Sequence, residues 1–285
     1  MKKIIVGIDG SKESFDSYRC VSDLFPGVEV NLTAVFVRDE RKTQIPYIYS
    51  GAAYDIAYER LYIPVDPQLT KTYEKLNEDN KIFAQKCIKV CDNIELNPKI
   101  KKTGLILEGD PSEQLVDISK QSDLLVMGQR GENAAYKREL IGSTSEDLIR
   151  KSEVPVLICP GDKINLKRAL LVYEGNDSSE NAIDYFNREL TGKNDVLYII
   201  VKNKMKDLSK ESLEKIEILK QKNINVIVEN CSYSLAQKSL EMMESGLVDV
   251  FILGSHGKHK LSEYLLGSNT VHIIRKSSIP VFIVH

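Results

Sequence analysis

The chain has 285 residues, of which 42% are apolar and 28% are charged, and these proportions are ordinary for a soluble globular protein. Lysine and arginine number 39 against 41 aspartates and glutamates, so the formal net charge is only −2. A charge so near zero excludes a general electrostatic attraction to nucleic acid or to an anionic membrane surface. No apolar run approaches the roughly 18 residues of a membrane-spanning helix. The length predicts about two domains of roughly 150 residues each.

The opening segment MKKIIVGIDG predicts a first strand rather than a signal peptide, because Asp9 interrupts the apolar run. The cysteines are scattered and include no CxxC pair, which favours a reducing cytoplasm over a disulfide framework. Cys87 and Cys91 stand four positions apart on a predicted helix and admit a metal or redox pair. Small half-buried apolar residues are the commoner explanation of such a pair. We therefore expect a cytoplasmic protein with neither nucleic acid nor a membrane as partner.

Apolar runs rich in β-branched residues alternate along the first half with stretches of helical periodicity. The predicted strands are, in chain order, IIVGI, VNLTAVFV, IKKTGLIL, LLVMG and VPVLIC; the predicted helices include KTYEKLNEDNKIFAQKCIKV, PSEQLVDISKQ and STSEDLIRKS. Strands that are apolar throughout and alternate with helices predict a parallel sheet covered on both faces. Right-handed crossovers then bring the carboxyl ends of the strands to one edge, where such sheets bind ligands.

The second half of the chain repeats the first, which predicts two domains of one fold. Three pairs of segments align: KKIIVGIDG with KRALLVYEG, SDLLVMGQRG with LVDVFILGSHG, and IGSTSEDLIRKSEVPVLICP with LGSNTVHIIRKSSIPVFIVH. The first domain is expected over residues 1–160 and the second over 166–285, separated by the polar stretch PGDKIN.

The first domain carries an insertion near residues 39–70 that has no counterpart in the second. This insertion is rich in proline and tyrosine, and its tyrosines include Tyr47, Tyr49, Tyr54, Tyr58 and Tyr62. Tyrosine offers a large apolar ring with a polar tip. Two interpretations therefore stay open: a pocket or partner surface lined by these rings, or a lid that packs on its own domain.

Glycines punctuate GSHGKHKLSEYLLGS between the end of one predicted strand and the start of the next helix, at Gly254, Gly257 and Gly267. Glycine permits positive φ and lacks Cβ, so main-chain N–H groups in such a loop can approach an anion closely. The N-terminus of the following helix adds its dipole. The first half repeats the layout at Gly128, Gly131 and Gly142. One such glycine is commonly only a turn, but its recurrence in both halves favours an anion-binding loop.

The spacing G-x2-G-x9-G-[ST] in this segment resembles the nucleotide-binding signature of the universal stress protein family. KKIIVGIDGSKES at the start, EGDPSEQLV at 108–116 and KSSIPVFIVH at the end resemble the same family. The resemblance spans nearly all of both halves and implies an α/β fold of two tandem, doubly wound, mostly parallel five-stranded sheets. Such sheets are Rossmann-like, of the adenine nucleotide α-hydrolase type. The resemblance also implies that the terminal strands, PVLICP and PVFIVH, pair between the domains.

The resemblance further implies binding of ATP, or of ADP or AMP, together with Mg²⁺. Adenine and ribose would lie over the first strands and the phosphates in the glycine loop. The positions that match the family's binding residues are Asp9, Val37, Gly128, Gly131, Gly142, Ser143 and Thr144 in the first half and Val201, Gly254, Gly257, Gly267, Ser268 and Asn269 in the second. Basic residues near the loops are candidates for phosphate contacts: Arg130, Lys137, Arg138, His256, Lys258 and His259.

Each half departs from the family pattern at one place. The first half has ten residues, not nine, between Gly131 and Gly142. The second half has Glu174 where the family prefers aspartate, and a longer carboxylate would crowd a ribose. In addition, EGNDSSE aligns as one residue longer than DGSKE. We expect at least one of the two sites to work.

The leading functional hypothesis is a cytoplasmic adenine-nucleotide-binding regulatory protein of the stress response, with at most slow ATP hydrolysis. The sequence contains no Walker A lysine motif. An adenylating enzyme of the ATP-pyrophosphatase type is less favoured, because GIDGSKES only loosely matches the S-G-G-x-D-S loop of that class. A third hypothesis is a nucleotide-free interaction module with an unknown protein partner, and a homodimer also stays open.

Overall fold

The computed structural model describes residues 1–39, 67–129, 143–202, 208–222, 224–255 and 267–285. The insertion expected near residues 39–70, with its tyrosines, falls mostly outside these ranges. None of the helices in the described ranges is long and apolar enough to cross a membrane.

The first half alternates strands and helices as its sequence pattern predicts. Its elements are β1 Lys2–Ile8, α1 Lys12–Leu24, β2 Val30–Arg38, α2 Pro67–Asn93, β3 Ile100–Glu108, α3 Pro111–Ser119, β4 Leu124–Gly128, α4 Ser143–Lys151 and β5 Val156–Cys159. Local chemistry fixes where two of these helices begin. Ser11 and Asp110 stand just before α1 and α3, and their side chains accept hydrogen bonds from main-chain N–H groups of the first turn.

The second half repeats this order. Its elements are β6 Arg168–Tyr173, α5 Asp177–Tyr185 continued by a π-helical turn Phe186–Leu190, β7 Val196–Lys202, α6 Lys210–Gln221, β8 Asn225–Cys231, α7 Leu235–Glu244, β9 Val250–Gly254, α8 Ser268–Lys276 and β10 Val281–Val284. Asn176, Ser209 and Ser234 cap α5, α6 and α7 with their side chains.

The two five-stranded halves join into one ten-stranded sheet with the order β3-β2-β1-β4-β5-β10-β9-β6-β7-β8. Neighbouring strands within each half are parallel. The two halves meet where β5 and β10 pair antiparallel, with Phe282 opposite Leu157. The expected doubly wound fold and the expected pairing of the terminal strands are thus confirmed.

Both faces of the sheet carry an apolar core that runs through both halves. The core on one face includes residues of α1, α2, α5 and α6, and the core on the other face includes residues of α3, α4, α7 and α8. Phe282 of β10 is fully buried and its ring lies 5.7 Å from that of Tyr185. Cys87 and Cys91 are also buried in the first of these cores, as small apolar residues would be. Because each core crosses the β5–β10 junction, neither half buries its apolar surface alone.

The antiparallel junction sets where the two carboxyl edges lie. All strands of the first half run in one direction, and all strands of the second half run in the opposite direction. The carboxyl ends of β1, β2 and β4 therefore lie at one edge of the sheet, and those of β6, β7 and β9 lie at the other. Two ligand sites of the predicted kind would be separated by the full height of the sheet.

Polar contacts tie the halves together beside the strands. Gln129 follows β4 and is buried, and its Nε2 donates to the carbonyl oxygens of Ile274 at 2.8 Å and Ser277 at 2.9 Å. Such carbonyls at the end of a helix have no intrahelical partner. In the same turn of α8, Nη2 of Arg275 lies 3.7 Å from Oε2 of Glu146 in α4. The end of α8 is thereby anchored to the first half.

On the other face, two lysines bridge the halves. Lys2 Nζ of β1 lies 2.7 Å from Glu189 Oε2 in the π-helical turn. Lys193 Nζ lies 4.1 Å from the centre of the Phe25 ring, at the end of α1. Burial lowers the pKa of Lys193 from 10.5 to about 8, although Glu189 pulls it upward.

The lowered pKa of Lys193 predicts a pH-dependent stability. The folded protein loses this proton near pH 8, whereas the unfolded chain keeps it to about 10.5. As the pH rises through this window, the free energy of unfolding of the wild type should therefore increase by about 2 kcal/mol more than that of Lys193→Met. Partial screening by solvent makes this value smaller than the full pKa difference would give. Urea unfolding of both proteins between pH 7 and pH 10.5 measures the difference. Parallel profiles would contradict the assignment.

Candidate functional site

At the carboxyl edge of the first half, the described candidate residues come from three strands and one helix. Asp9 follows β1, Val37 lies near the end of β2 opposite Leu107 of β3, and Gly128 ends β4. Ser143 and Thr144 begin α4, which follows β4 in the chain. The sheet therefore places an acidic residue, an apolar strand position and a helix N-terminus on one edge, the arrangement in which open α/β sheets bind ligands.

The Asp9 carboxylate is held by the turn that follows it. Its Oδ1 accepts hydrogen bonds from Ser11 N at 2.9 Å and Ser11 Oγ at 2.6 Å. The main-chain N–H of Asp9 donates to Ser14 Oγ at 3.4 Å. Gly10 makes the turn with φ +90°, and a Cβ at this position would lie 2.4 Å from the Phe83 ring. The carboxylate is consequently fixed beside the start of α1.

The second half builds the same turn with different side chains. Asn176 takes the place of Ser11, and its Oδ1 accepts hydrogen bonds from Ser179 N and Ser179 Oγ. The main-chain N–H of Glu174 donates to Ser179 Oγ at 2.9 Å, as that of Asp9 does to Ser14. The caps Ser11 and Asn176 are 165 residues apart, and so are the first residues of α1 and α5. The alignment that makes EGNDSSE one residue longer is therefore wrong.

Glu174 is one methylene longer than Asp9, and its side chain extends from the end of β6 to the start of α8. Its Oε1 accepts a hydrogen bond from Asn269 Nδ2 at 2.9 Å, which links the end of β6 to the first turn of α8. Thr270, in the same turn, donates from Oγ1 to the carbonyl oxygen of Gly254 at 3.0 Å. Gly267 precedes α8 with φ −59°, so a positive φ is not the reason for glycine there.

These contacts border a cleft at the carboxyl edge of the second half, with about 220 Å³ of empty space when open solvent is included. Its lining residues are Val172, Glu174, Ser179, Leu253, Gly254, Asn269, Thr270 and Ile273. The cleft thus has an apolar floor from β6, β9 and α8 and a polar mouth. Val201 of β7, another candidate, is fully buried in the apolar core rather than on this lining.

Polar contacts beside Glu174 hold the end of β6 in place. Tyr173 donates from its hydroxyl to Glu180 Oε1 at 2.7 Å, and Ser209 Oγ donates to the same oxygen at 2.8 Å. Burial pushes the pKa of Glu180 up, but hydrogen bonds from Ser212, Tyr173 and Ser209 outweigh it and lower the pKa below its ordinary value. This network joins β6 to α5 and α6.

The structure gives a packing reason for the glycines that end β4 and β9. A Cβ on Gly128 would lie 2.9 Å from the main-chain carbon of Glu13, and one on Gly254 would lie 2.7 Å from Cβ of Ser178. Glu13 and Ser178 occupy the first turns of α1 and α5. Glycine is needed at both positions because a helix start packs directly against the end of the strand. The sequence suggested a turn or an approaching anion at these glycines, and this helix contact is a third reason.

Several predicted site residues lie outside the described part of the chain. They are Gly131, Gly142 and Gly257, together with the basic residues Arg130, Lys137, Arg138, His256, Lys258 and His259. Of the remaining candidates, Ser268 and Asn269 stand in the first turn of α8. Sequence reasoning missed Ser179 and Thr270, which line the second cleft. The repeat offered only a weak signal for them, through the aligned Ser14 and Ser145.

Comparisons with known proteins follow the same division into halves. The Universal stress protein family matches residues 1–160 and 165–285. Universal stress protein Slr1230 of Synechocystis is 23% identical over 99% of both chains. Universal stress protein MJ0577 of Methanocaldococcus jannaschii is 33% identical over 47% of this chain and 78% of its own. The crystal structure of a universal stress protein from Archaeoglobus fulgidus DSM 4304 has a TM-score of 0.67 and 22% identity, covering 99% of this chain and 96% of that chain.

The fold defines a tandem, doubly wound α/β protein with a candidate ligand edge in each half. The family matches cover nearly all of the sequence. The chain belongs to the universal stress protein family.

The packing role of the strand-end glycines is testable by adding one methyl group. Gly128→Ala and Gly254→Ala should each lower the free energy of unfolding by about 1–3 kcal/mol, since the new Cβ meets a helix start. Gly161→Ala is the matched control, because a Cβ there meets nothing within 4 Å. Urea unfolding of the three variants compares them. Equal stabilities of all three would show that these glycines have no packing role.

Proposed function

We propose that this chain binds an adenine nucleotide (ATP, or its products ADP or AMP) and serves as a regulatory protein of the stress response, with little or no catalysis. The observation that carries the proposal is the grouping of Asp9, Val37 and Gly128 with the start of α4 at one carboxyl edge. This edge is where open parallel sheets bind nucleotides. The loop spacing of the first half resembles the family's nucleotide-binding signature with one extra residue between Gly131 and Gly142, and it supports the same ligand.

Each part of the nucleotide has a proposed partner at the first-half edge. Asp9, fixed by Ser11, would accept hydrogen bonds from the ribose hydroxyls. The half-buried Val37 would contact the purine. The main-chain N–H groups at the start of α4, at Ser143 and Thr144, would bind phosphate, because a helix N-terminus combines free donors with a favourable dipole. Gly131 and Gly142 would complete this phosphate site.

The expected Mg²⁺ can be compared with the placement of metal-binding side chains in the structure. In the ranges that the structure describes, no group of three or more His, Cys, Asp or Glu side chains is placed to hold a metal ion. Magnesium is commonly bound through substrate phosphates with few protein ligands. We propose that any Mg²⁺ arrives as the nucleotide complex and is held mainly by the phosphates.

The proposed output is a change in protein contacts in the cytoplasm. The antiparallel pairing of β5 with β10 uses these two strand edges within one chain. A partner protein, or a second copy of the chain, would therefore have to dock on another surface. In a single-domain protein, by contrast, the terminal strand itself would be available to form the contact.

Two aspartates of the first half give a matched test of the proposal. Asp9 and Asp110 each accept from the main-chain N–H two residues ahead at 2.9 Å and from the hydroxyl of that serine at 2.6 Å. Asp110 also accepts from the main-chain N–H of Glu113 and caps α3, so Asp110→Ala loses at least the turn contacts that Asp9→Ala loses. Of the two, only Asp9 is a candidate for binding the nucleoside. Asp9→Ala should weaken ATP binding about 10- to 100-fold, and Asp110→Ala should leave it unchanged.

Isothermal titration with ATP and Mg²⁺ measures these affinities, and mass spectrometry of the denatured wild type detects nucleotide carried through purification. Equal weakening by both variants would mean that Asp9 acts only through the turn. Absence of heat and of carried nucleotide in the wild type would favour the interaction module instead. Transfer of adenylate to an acceptor would favour the adenylating enzyme.

A further inference from the structure

Glu174 and Asn269 form a bond across the mouth of the second cleft. The carboxylate stands at the end of β6 and the amide in the first turn of α8, and Oε1 and Nδ2 are 2.9 Å apart. Both residues are half-buried and both line the cleft, which also contains the end of β9 at Gly254. A ligand entering over this edge from β6 to α8 would have to separate the two side chains.

The space beneath this bond is small. The space among its lining side chains has no room even for a water molecule, whereas small-molecule sites typically offer roughly 300–1,000 Å³. Its floor is closed by the buried side chains of Val172, Leu253 and Ile273. The cleft therefore cannot lodge a nucleoside while Glu174 and Asn269 remain bonded.

The bond also places a negative charge where a phosphate would bind. Five helices of the described ranges (α1, α3, α5, α6 and α7) have an N-cap side chain that accepts from a first-turn N–H group. The N-cap of α8 is Gly267, which has no side chain. The Glu174 carboxylate is held at the first turn of this helix, where a negative charge is favourable. The second half thus supplies its own anion to α8.

The first half differs at both corresponding positions. Asp9 stands in place of Glu174 and is one methylene shorter, and its Oδ1 is engaged by Ser11. Thr144 stands in place of Asn269. In the second half the residue equivalent to Ser11 is Asn176, whose side-chain oxygen caps α5. The bonded acid and amide of the second half thus stand where the first half has Asp9 and Thr144.

We infer that the Glu174–Asn269 pair is a latch that closes the second cleft, so that the chain binds one adenine nucleotide, in its first half. Glu174 is thereby the residue that decides which half binds. The inference rests on the proposed function and adds the number and location of the sites.

Transfer of residues from each half to the other tests the latch. Glu174→Asp combined with Asn269→Thr gives the second half the acid and the hydroxyl of the first, and Asp9→Glu gives the first half the longer acid. Titration with ATP and Mg²⁺ should find one nucleotide per wild-type chain and two per chain of the double variant. The second site should bind within about tenfold of the first. Asp9→Glu should weaken the wild-type site about 10- to 100-fold.

The outcomes separate this inference from the proposed function. Two nucleotides per wild-type chain, or one per chain of the double variant, would overturn the latch while nucleotide binding stands. Loss of the wild-type site in the double variant, with its retention in Asp9→Glu, would place the working site in the second half and also overturn it. No binding by any of the three proteins would overturn the proposed function and the latch together. Thermal unfolding of each protein verifies that it is folded.

Discussion

The antiparallel pairing of β5 with β10 is the contact on which the rest of the structure depends. It joins ten strands into one sheet through the pairs Val281 with Ile158, Phe282 with Leu157 and Ile283 with Val156. Both strands are fully buried, so these hydrogen bonds are made where water cannot compete. The pairing also covers two strand edges that would otherwise be open to association with other chains.

Three properties of the molecule follow from that pairing. The apolar cores on both faces continue from one half into the other, so burial of each half depends on its neighbour. The carboxyl edges of the halves point in opposite directions, which keeps the two candidate sites apart. The end of α8 comes beside the first-half edge, where Gln129 binds its last carbonyls. The two repeated halves therefore form one sheet whose two carboxyl edges differ in their contacts.

The elements of this fold could be predicted from the sequence because they are encoded locally. Continuous apolar runs such as IIVGI and LLVMG indicate buried parallel strands, and Ser11 and Asp110 mark the starts of α1 and α3. The pairing of the terminal strands was expected through the family resemblance and the instability of open strand edges rather than from a local pattern. The repeat also placed the acidic position after β1 and after β6 correctly, since each follows an apolar strand.

The long-range contacts that distinguish the two carboxyl edges could not be predicted in this way. Glu174 and Asn269 are 95 residues apart in the chain, and Gln129 and Ile274 are 145 apart. No local pattern encodes such pairs, because they depend on how the sheet orders its strands. Gly128 shows a related limit: its sequence context suggested an anion, whereas its nearest constraint is the main chain of Glu13.

The central claim is that the β5–β10 pairing makes the two halves one folding unit. Hydrogen exchange followed by mass spectrometry along a urea series tests it directly, by comparing peptides from β1 and β4 with peptides from β6 and β9. The account predicts that both sets lose protection at one common urea midpoint. Two separate midpoints, with one half still protected after the other has unfolded, would contradict it.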